Sequence, residues 1–213
     1  MIGILGGMGA AAGLDLAGKL VKECQARGCK KDTDFPEFVL YNLLTSGITE
    51  AGVTDEAVLE KDLRKGVSFL QYCGADAIVI ACNSAHRVYE KVKNVTGANI
   101  FSIVEAAIEV VGDRRYGLIS TKTTRDFGLY ENAITVSDNR QQQLELAIDH
   151  ATTGSINKND LQNVEDIITE LCINGAEVVV VGCTELPLVV PPLENLIDAG
   201  ECVIKKICDW RKI

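Results

Sequence analysis

Apolar positions along this 213-residue chain fall into two kinds of run. The first kind is short and unbroken: Ile2-Gly3-Ile4-Leu5-Gly6, Phe38-Val39-Leu40-Tyr41-Asn42, Ala77-Ile78-Val79-Ile80, Tyr116-Gly117-Leu118-Ile119-Ser120 and Val178-Val179-Val180-Val181. Runs without polar alternation are the pattern of parallel strands covered on both faces. In the second kind, apolar residues recur three and four apart, as in Leu14, Ala17, Leu20, Val21 and Cys24, or Leu59, Leu63, Val67 and Leu70. Leu161, Val164, Ile167, Ile168 and Leu171 form another such series, and Val203, Ile204 and Ile207 a last one. Each predicts an amphipathic helix with one face on a sheet. Weaker patterns predict helices over 84–95, 104–111 and 141–151, and short strands over 99–103, 133–136 and 196–197. Pro187, Pro191 and Pro192 are expected to end regular structure.

Strand and helix alternate in the same way twice. Gly74-Ala75-Asp76-Ala77-Ile78-Val79-Ile80-Ala81-Cys82-Asn83 is matched by Gly175-Ala176-Glu177-Val178-Val179-Val180-Val181-Gly182-Cys183-Thr184, and Tyr116-Gly117-Leu118-Ile119-Ser120 echoes the opening strand. The expected fold is therefore α/β, with two pseudo-symmetric, doubly wound parallel-sheet (Rossmann-like) halves and a cleft between them. The first domain is expected over 1–105, completed by a helix within 197–213, and the second over 106–196. No low-complexity linker separates them, so the halves should pack intimately.

Open α/β sheets bind ligands at the carboxyl ends of their strands. Cys82 and Cys183 fall at such ends, and a pseudo-twofold axis would turn both thiols toward one ligand from opposite sides. Asn83-Ser84 and Thr184-Glu185 are helix-starting pairs, which would set each sulfur near the positive end of a helix dipole and favour thiolate. Free cysteine is often buried and inert, but a packing residue has no reason to recur in the same context. Two opposed thiols suit inversion of a stereocentre, one removing a proton from carbon and the other returning one to the opposite face.

The remaining composition narrows the partners. A net charge of -9 and a pI near 4.8 argue against nucleic acid or acidic membrane surfaces. Residues 1–5 begin a strand without a basic, apolar leader, and no apolar run reaches membrane length, so a cytoplasmic location is expected. Cys24, Cys29, Cys73, Cys172, Cys202 and Cys208 lie on or just past helix patterns and are expected to be structural thiols. There is no C-x-x-C pair and there are only two histidines, which leaves no zinc pattern. No lysine sits in a recognisable Schiff-base context, so no cofactor is expected. Gly7-Met8-Gly9 with Ala12 is a degenerate dinucleotide fingerprint, and the following strand ends in Asn42 without the acidic residue that would hold a ribose. A bare anion or carboxylate at that turn suits it better. The loop over 43–54, with Thr45, Ser46, Gly47 and Thr49, reads either as a solvated connection or as a substrate loop.

Ile4-Leu5-Gly6-Gly7-Met8-Gly9, Ala81-Cys82-Asn83-Ser84-Ala85-His86 and Gly182-Cys183-Thr184-Glu185-Leu186 closely resemble, in order, the signature segments of cofactor-independent aspartate/glutamate racemases, part of the Asp/Glu/hydantoin racemase superfamily. The resemblance implies a pyridoxal-independent racemase acting on aspartate, glutamate or a related amino acid, with Cys82 and Cys183 as matching acid and base. It also implies that Asn83, Ser84 and Thr184 hold the α-carboxylate, that Met8 lines the pocket, and that the protein is a homodimer. Related chemistries in the superfamily are those of hydantoin racemases, maleate isomerases and decarboxylases; a non-catalytic small-molecule-binding protein is the remaining alternative.

Two departures from that pattern concern charge. Aspartate-specific relatives carry a loop arginine where this chain reads Leu44-Thr45-Ser46-Gly47-Ile48-Thr49, and a lysine where it reads Gln141-Gln142. Lys122, Arg125 and Arg140 are the candidate substitutes, and Lys122 leads because it follows a strand at the position equivalent to the Gly7-Met8-Gly9 turn. Thr45 is a further candidate substrate contact. His86 reads either as a tuner of Cys82 or as an ordinary polar helix residue, Glu185 as an orienting group or a helix-start residue, and His150 as structural.

Overall fold

The computed structural model describes residues 1–49, 52–190 and 193–213. Its first half runs β1 (Ile2–Gly6), α1 (Ala10–Ala26), β2 (Phe38–Asn42), a small hairpin of β3 (Ile48–Thr49) and β4 (Gly52–Val53), α2 (Glu56–Tyr72), β5 (Ala77–Ile80), α3 (Tyr89–Val92), β6 (Asn99–Phe101) and α4 (Ile103–Val111). The second half runs β7 (Tyr116–Ser120), α5 (Lys122–Asp126), α6 (Asp138–Thr153), α7 (Lys158–Ile173), β8 (Val178–Gly182), β9 (Leu196–Asp198) and α8 (Ala199–Arg211).

Each half is a parallel sheet, in the orders β2-β1-β5-β6 and β7-β8-β9. The two are built on one plan. Gly3 pairs with Ile78 as Gly117 pairs with Val179, and the strands that follow, β6 and β9, pair on the same side of β5 and β8. Ser102, just after β6, and Asp198, which ends β9, then cap α4 and α8 by the same device, a side-chain oxygen accepting from backbone N–H of the first turn. The place of β2 is taken in the second half by Ile134, whose N–H donates to the Tyr116 carbonyl at 2.8 Å while its carbonyl accepts from Leu118 at 3.0 Å. Only this single bridge forms where a strand over 133–136 was expected.

Unbroken apolar strands need cover on both faces, and they have it. Leu59, Leu63, Val67 and Leu70 of α2 close the outer face of the first sheet, each without solvent exposure, a burial worth roughly 1.5–3 kcal/mol per side chain. Helices α6 and α7 close the outer face of the second. Between the sheets lies a shared core, to which α1 contributes Leu16, Leu20 and Cys24, α4 contributes Ile103 and Ala107, and α8 contributes Val203, Ile204 and Ile207. Helix α8 packs on both α1 and α4. The α/β class, the two parallel-sheet halves and their intimate packing are as expected from the chain.

Four expectations are corrected locally. Leu14 is 66% exposed, because α1 turns Ala12, Leu16, Leu20 and Cys24 to the core instead. Gly13 lies close to Gly6, where an added Cβ would stand 3.3 Å from the Gly6 Cα, a tight contact that the absence of a side chain avoids. The expected helix over 84–95 is a 3-10 turn (Ser84–Val88) followed by the single turn α3. The polar loop over 43–54 contains the β3–β4 hairpin, with Glu50 and Ala51 outside the described residues. Pro187 lies in a short 3-10 turn (Leu186–Leu188), while Pro191 and Pro192 also lie outside the described residues.

Candidate active site

Strand β5 ends at Ile80 and Cys82 follows it by two residues, its N–H turned back onto the Ile80 carbonyl at 2.9 Å. Strand β8 ends at Gly182, directly before Cys183. Both cysteines border one cleft of about 330 Å³, with the Gly7-Met8-Gly9 turn, Asn83, Ser84, Thr184 and Glu185. The pseudo-symmetry read from the repeated phrase thus brings the two thiols together. All eight cysteines are thiols, and Cys24, Cys202 and Cys208 are buried in the shared core away from the cleft.

The turn after β1 explains its glycines. Gly9 has φ 77°, and a Cβ there would stand 2.0 Å from Oε1 of Glu185. The Glu185 carboxylate therefore sits against the amino end of α1, where the helix dipole favours negative charge. Its Oε2 accepts the Cys183 thiol at 3.2 Å and the Thr184 hydroxyl at 3.0 Å. Glu185 thus bonds the group that the chemistry would use.

Asn83 carries the clearest invitation to a ligand. Its residue is 2% exposed, and its Oδ1 accepts the Tyr130 hydroxyl at 2.6 Å. Asn83 borders the cleft, and its Nδ2 is buried without a partner. A buried amide with one end fixed and the other unsatisfied costs stability unless something occupies it. Tyr130 went unnoticed in the sequence, and so did the hydroxyl triangle beside it. Ser84 Oγ lies 2.9 Å from Thr121 Oγ1 and 3.1 Å from Thr124 Oγ1, tying the loop after Cys82 to the amino end of α5 in the other half.

The thiolate expectation is reversed. Burial pushes the Cys82 thiol up to about 12, with the Glu185 charge adding to the rise and backbone hydrogen bonds from Ala85 and Ser84 opposing it. Burial and the same carboxylate hold Cys183 well above its ordinary range. Neither cysteine precedes a helix long enough to supply a dipole: 3-10 turns of five and three residues follow them.

His86 neither borders the cleft nor touches the sulfur. Its Nδ1–H donates to the Cys82 carbonyl at 2.9 Å and its Nε2 accepts the Ile103 N–H at 3.2 Å, which fixes one tautomer. Burial depresses its pKa to about 4, so the ring is neutral and clamps the backbone of the cysteine loop.

The structure removes two candidates from the site. Thr45 does not border the cleft; its Oγ1 accepts from Gly47 N–H at 3.1 Å within its own turn, and Ile48 and Thr49 of the hairpin reach the cleft instead. Lys122 opens α5 but points outward, 58% exposed and paired with Asp126. Arg125 is held by Asp126 at 2.9 Å and Asp138 at 3.0 Å, and Arg140 by Glu170 at 2.8 Å. Gln141, at the expected lysine position, is buried, donating to the Ser120 carbonyl at 2.8 Å and to Glu145 at 2.9 Å. His150 bonds Asp160 at 2.9 Å, outside the cleft. Among the described residues, no cluster of histidine, cysteine and carboxylate side chains could hold a metal, and no helix is long and apolar enough to cross a membrane.

Comparison with known proteins agrees with this geometry. The broad specificity amino-acid racemase RacX of Bacillus subtilis is 24% identical over 96% of this chain and 95% of its own length. A glutamate racemase of Synechococcus is 28% identical, over 65% of this chain and 54% of that protein. Among solved structures, the aspartate racemase of Picrophilus torridus superposes with a TM-score of 0.77 at 23% identity, covering 99% of this chain and 94% of that one. The glutamate racemase of Thermus thermophilus, in complex with β-chloro-D-alanine, gives 0.69 at 20% identity, covering 99% and 80%. With the family model for Asp/Glu/Hydantoin racemase matching residues 5–207, the chain belongs to that family and is an isomerase.

Proposed function

We propose that this protein is a pyridoxal-independent amino-acid racemase that inverts Cα of aspartate, glutamate or a related amino acid by a two-thiol acid/base mechanism. The observation that carries the reading is the convergence of Cys82 and Cys183, from equivalent strand ends, on one cleft that is also bordered by Asn83, whose Nδ2 has no partner. Asn83 Nδ2 is the donor left for an α-carboxylate, since the Thr184 hydroxyl already donates to Glu185 and the Ser84 hydroxyl belongs to the triangle with Thr121 and Thr124.

The resting thiols are protonated, so a base must be made in the complex. Glu185 is placed for this, since its Oε2 already accepts the Cys183 proton. Transfer along that hydrogen bond leaves a Cys183 thiolate and a neutral carboxyl, and the arriving α-ammonium offsets the negative charge that opposes it. The thiolate takes the Cα proton from its face, and the Cys82 thiol gives a proton to the other. In the reverse direction Cys82 is the base.

The test is incubation with L- and D-amino acids in deuterated water, reading label at Cα and optical inversion separately. Cys82→Ala and Cys183→Ala should each lower racemisation by roughly 10²–10⁴-fold, the usual worth of a positioned acid or base. Near wild-type turnover in either variant excludes the two-thiol mechanism. Loss in only one of them favours a single-cysteine chemistry such as decarboxylation.

A further inference from the structure

We propose that Cys29, Cys24 and Cys208 form an oxidisable thiol site, in which Cys29 takes an oxygen atom from a hydroperoxide and Cys24 closes on it as a disulfide. None of the three borders the cleft, so the site is independent of the racemase reading. It is laid out by the way α1 ends. Gly28 adopts φ 104° after Arg27, its N–H donates to the Gln25 carbonyl at 3.0 Å, and the Cys29 N–H donates to the Cys24 carbonyl at 3.0 Å. Such a Schellman ending folds the residue beyond the turn back onto the one five positions earlier, a place usually given to an apolar contact. Both positions here hold cysteine.

Helix α8 ends in a similar turn, with Lys212 at φ 58° and the Ile213 N–H donating to the Cys208 carbonyl at 3.1 Å. Since α8 packs on α1, the two equivalent cysteines meet: Cys24 and Cys208 lie in one core cluster, Cys29 packs against it, and the Cys24 thiol interacts with both of the others. Arg27 ties the helix ends together, pairing with Glu23 at 2.7 Å and Asp209 at 2.8 Å and donating to the Ile213 carbonyl at 3.2 Å. Cys24 and Cys208 have no solvent exposure, whereas Cys29 is half-buried, its thiol donating to the Asp34 carbonyl at 3.3 Å. Among the described residues no cysteines converge on a point where a metal could sit, so the three form a row leading inward from the surface.

Oxidation follows that row. The Cys29 sulfur, as thiolate, attacks one peroxide oxygen; the O–O bond breaks, the leaving oxygen takes up a proton, and Cys29 becomes a sulfenic acid. Burial holds the Cys24 thiol above its ordinary range, so the peroxide passes it over until Cys29 has become electrophilic. The Cys24 sulfur then attacks that of Cys29, the S–O bond breaks and a water leaves. Two thiols have lost two electrons and two protons, and the peroxide has gained them. Cys208 can next displace Cys29 from Cys24, which moves the disulfide between α1 and α8 without any change in electron count.

The test exposes the native protein to an equimolar amount of hydrogen peroxide, blocks the remaining thiols by alkylation after unfolding, and maps peptides without reductant. Cleavage after Arg27 separates Cys24 from Cys29, so a link between them is read directly. The expected product joins Cys24 to Cys29 or to Cys208, is lighter by two hydrogens and reverts with dithiothreitol, while Cys82 and Cys183 remain alkylatable. Cys29→Ser should slow the loss of the Cys24 thiol by about tenfold or more, because the accessible member of the row is gone. Cys24→Ala should leave a sulfenic acid on Cys29 that dimedone traps; if that core variant does not fold, Cys29→Ser decides alone. Cys29 driven to sulfinic acid with Cys24 still a thiol, a Cys24–Cys208 bond formed as fast in Cys29→Ser as in the native protein, or oxidation of Cys82 or Cys183 ahead of Cys29 would each overturn the proposal.

Discussion

Removing one oxygen, in Tyr130→Phe, asks whether the Asn83 amide is oriented by the fold or by the ligand. In the native protein the Tyr130 hydroxyl donates to Asn83 Oδ1 at 2.6 Å, which leaves Nδ2 as the unpartnered end of a residue that borders the cleft. Burial raises the Tyr130 pKa well above its ordinary value, so the hydroxyl is a donor throughout the neutral range. The phenylalanine variant keeps the ring and its packing but leaves a second buried amide atom unsatisfied beside Nδ2. That costs about 1–3 kcal/mol. For a chain of this length each kcal/mol shifts Tm by roughly 2–4 °C, giving a fall of about 2–12 °C. The amide also becomes able to flip and present its carbonyl oxygen to an α-carboxylate, so KM should rise about tenfold or more while kcat changes less. The assay is Cα exchange under saturating and limiting substrate, with Tm by scanning fluorimetry. On an Asn83→Ala background the tyrosine change should add almost nothing, because the two side chains act through one bond. Unchanged KM and Tm in Tyr130→Phe, or full additivity with Asn83→Ala, would refute the reasoning.

Other expectations follow from the same groups. Lys122→Met should leave KM within about twofold for any amino acid, since that ammonium is exposed and paired with Asp126; a tenfold rise returns Lys122 to the site. Stability should fall as pH rises from about 9 toward 12: unfolded thiols ionise near 9.0, while burial holds Cys82 and Cys208 to about 12, so the native state keeps protons that the unfolded chain has lost. Denaturant midpoints against pH should lose part of this slope in Cys208→Ala, and a flat wild-type profile would sink the argument. His86 works in the opposite range, because its folded pKa is depressed from 6.5 to about 4 and the unfolded chain gains a proton first. Its contribution is complete above pH 6.5 and lost toward pH 4; His86→Gln should flatten that step, and an identical acid slope would assign it elsewhere.

Much of the fold could be read because its signals are local. An uninterrupted run such as Val178-Val179-Val180-Val181 has no favourable place but a strand covered on both faces, and the strand ends carried the thiols with them. Where local signals compete, tertiary contacts decided. Leu14 and Leu16 sit on different faces of α1, both compatible with a helical period, and the second shares its face with Leu20 and Cys24, which enter the core. The helix expected after Cys82 gives way because His86 turns its ring back onto the Cys82 carbonyl and Ser84 bonds to Thr121 and Thr124. Site residues reached across long separations left no trace in the pattern. Tyr130 lies 47 positions from the amide it orients, in a stretch without periodicity, and Ile148 and Thr152 read as ordinary turns of α6. The thiolate expectation failed for a related reason: helix-starting residues after a cysteine say nothing of burial or of how long the helix runs, and burial dominates here.

Helix α8 follows both sheets in chain order, yet it packs on α1 and shares a core with β1, β5 and α4. During synthesis, then, Leu16, Leu20 and Ile103 emerge without the surface that will cover them and stay so until the whole second sheet has been made. Neither half can finish its interior before α8 has been made. A nascent chain halted anywhere before residue 199 exposes an apolar face of helices to whatever binds such faces, which makes the interval between β1 and α8 the aggregation-sensitive part of this protein's life.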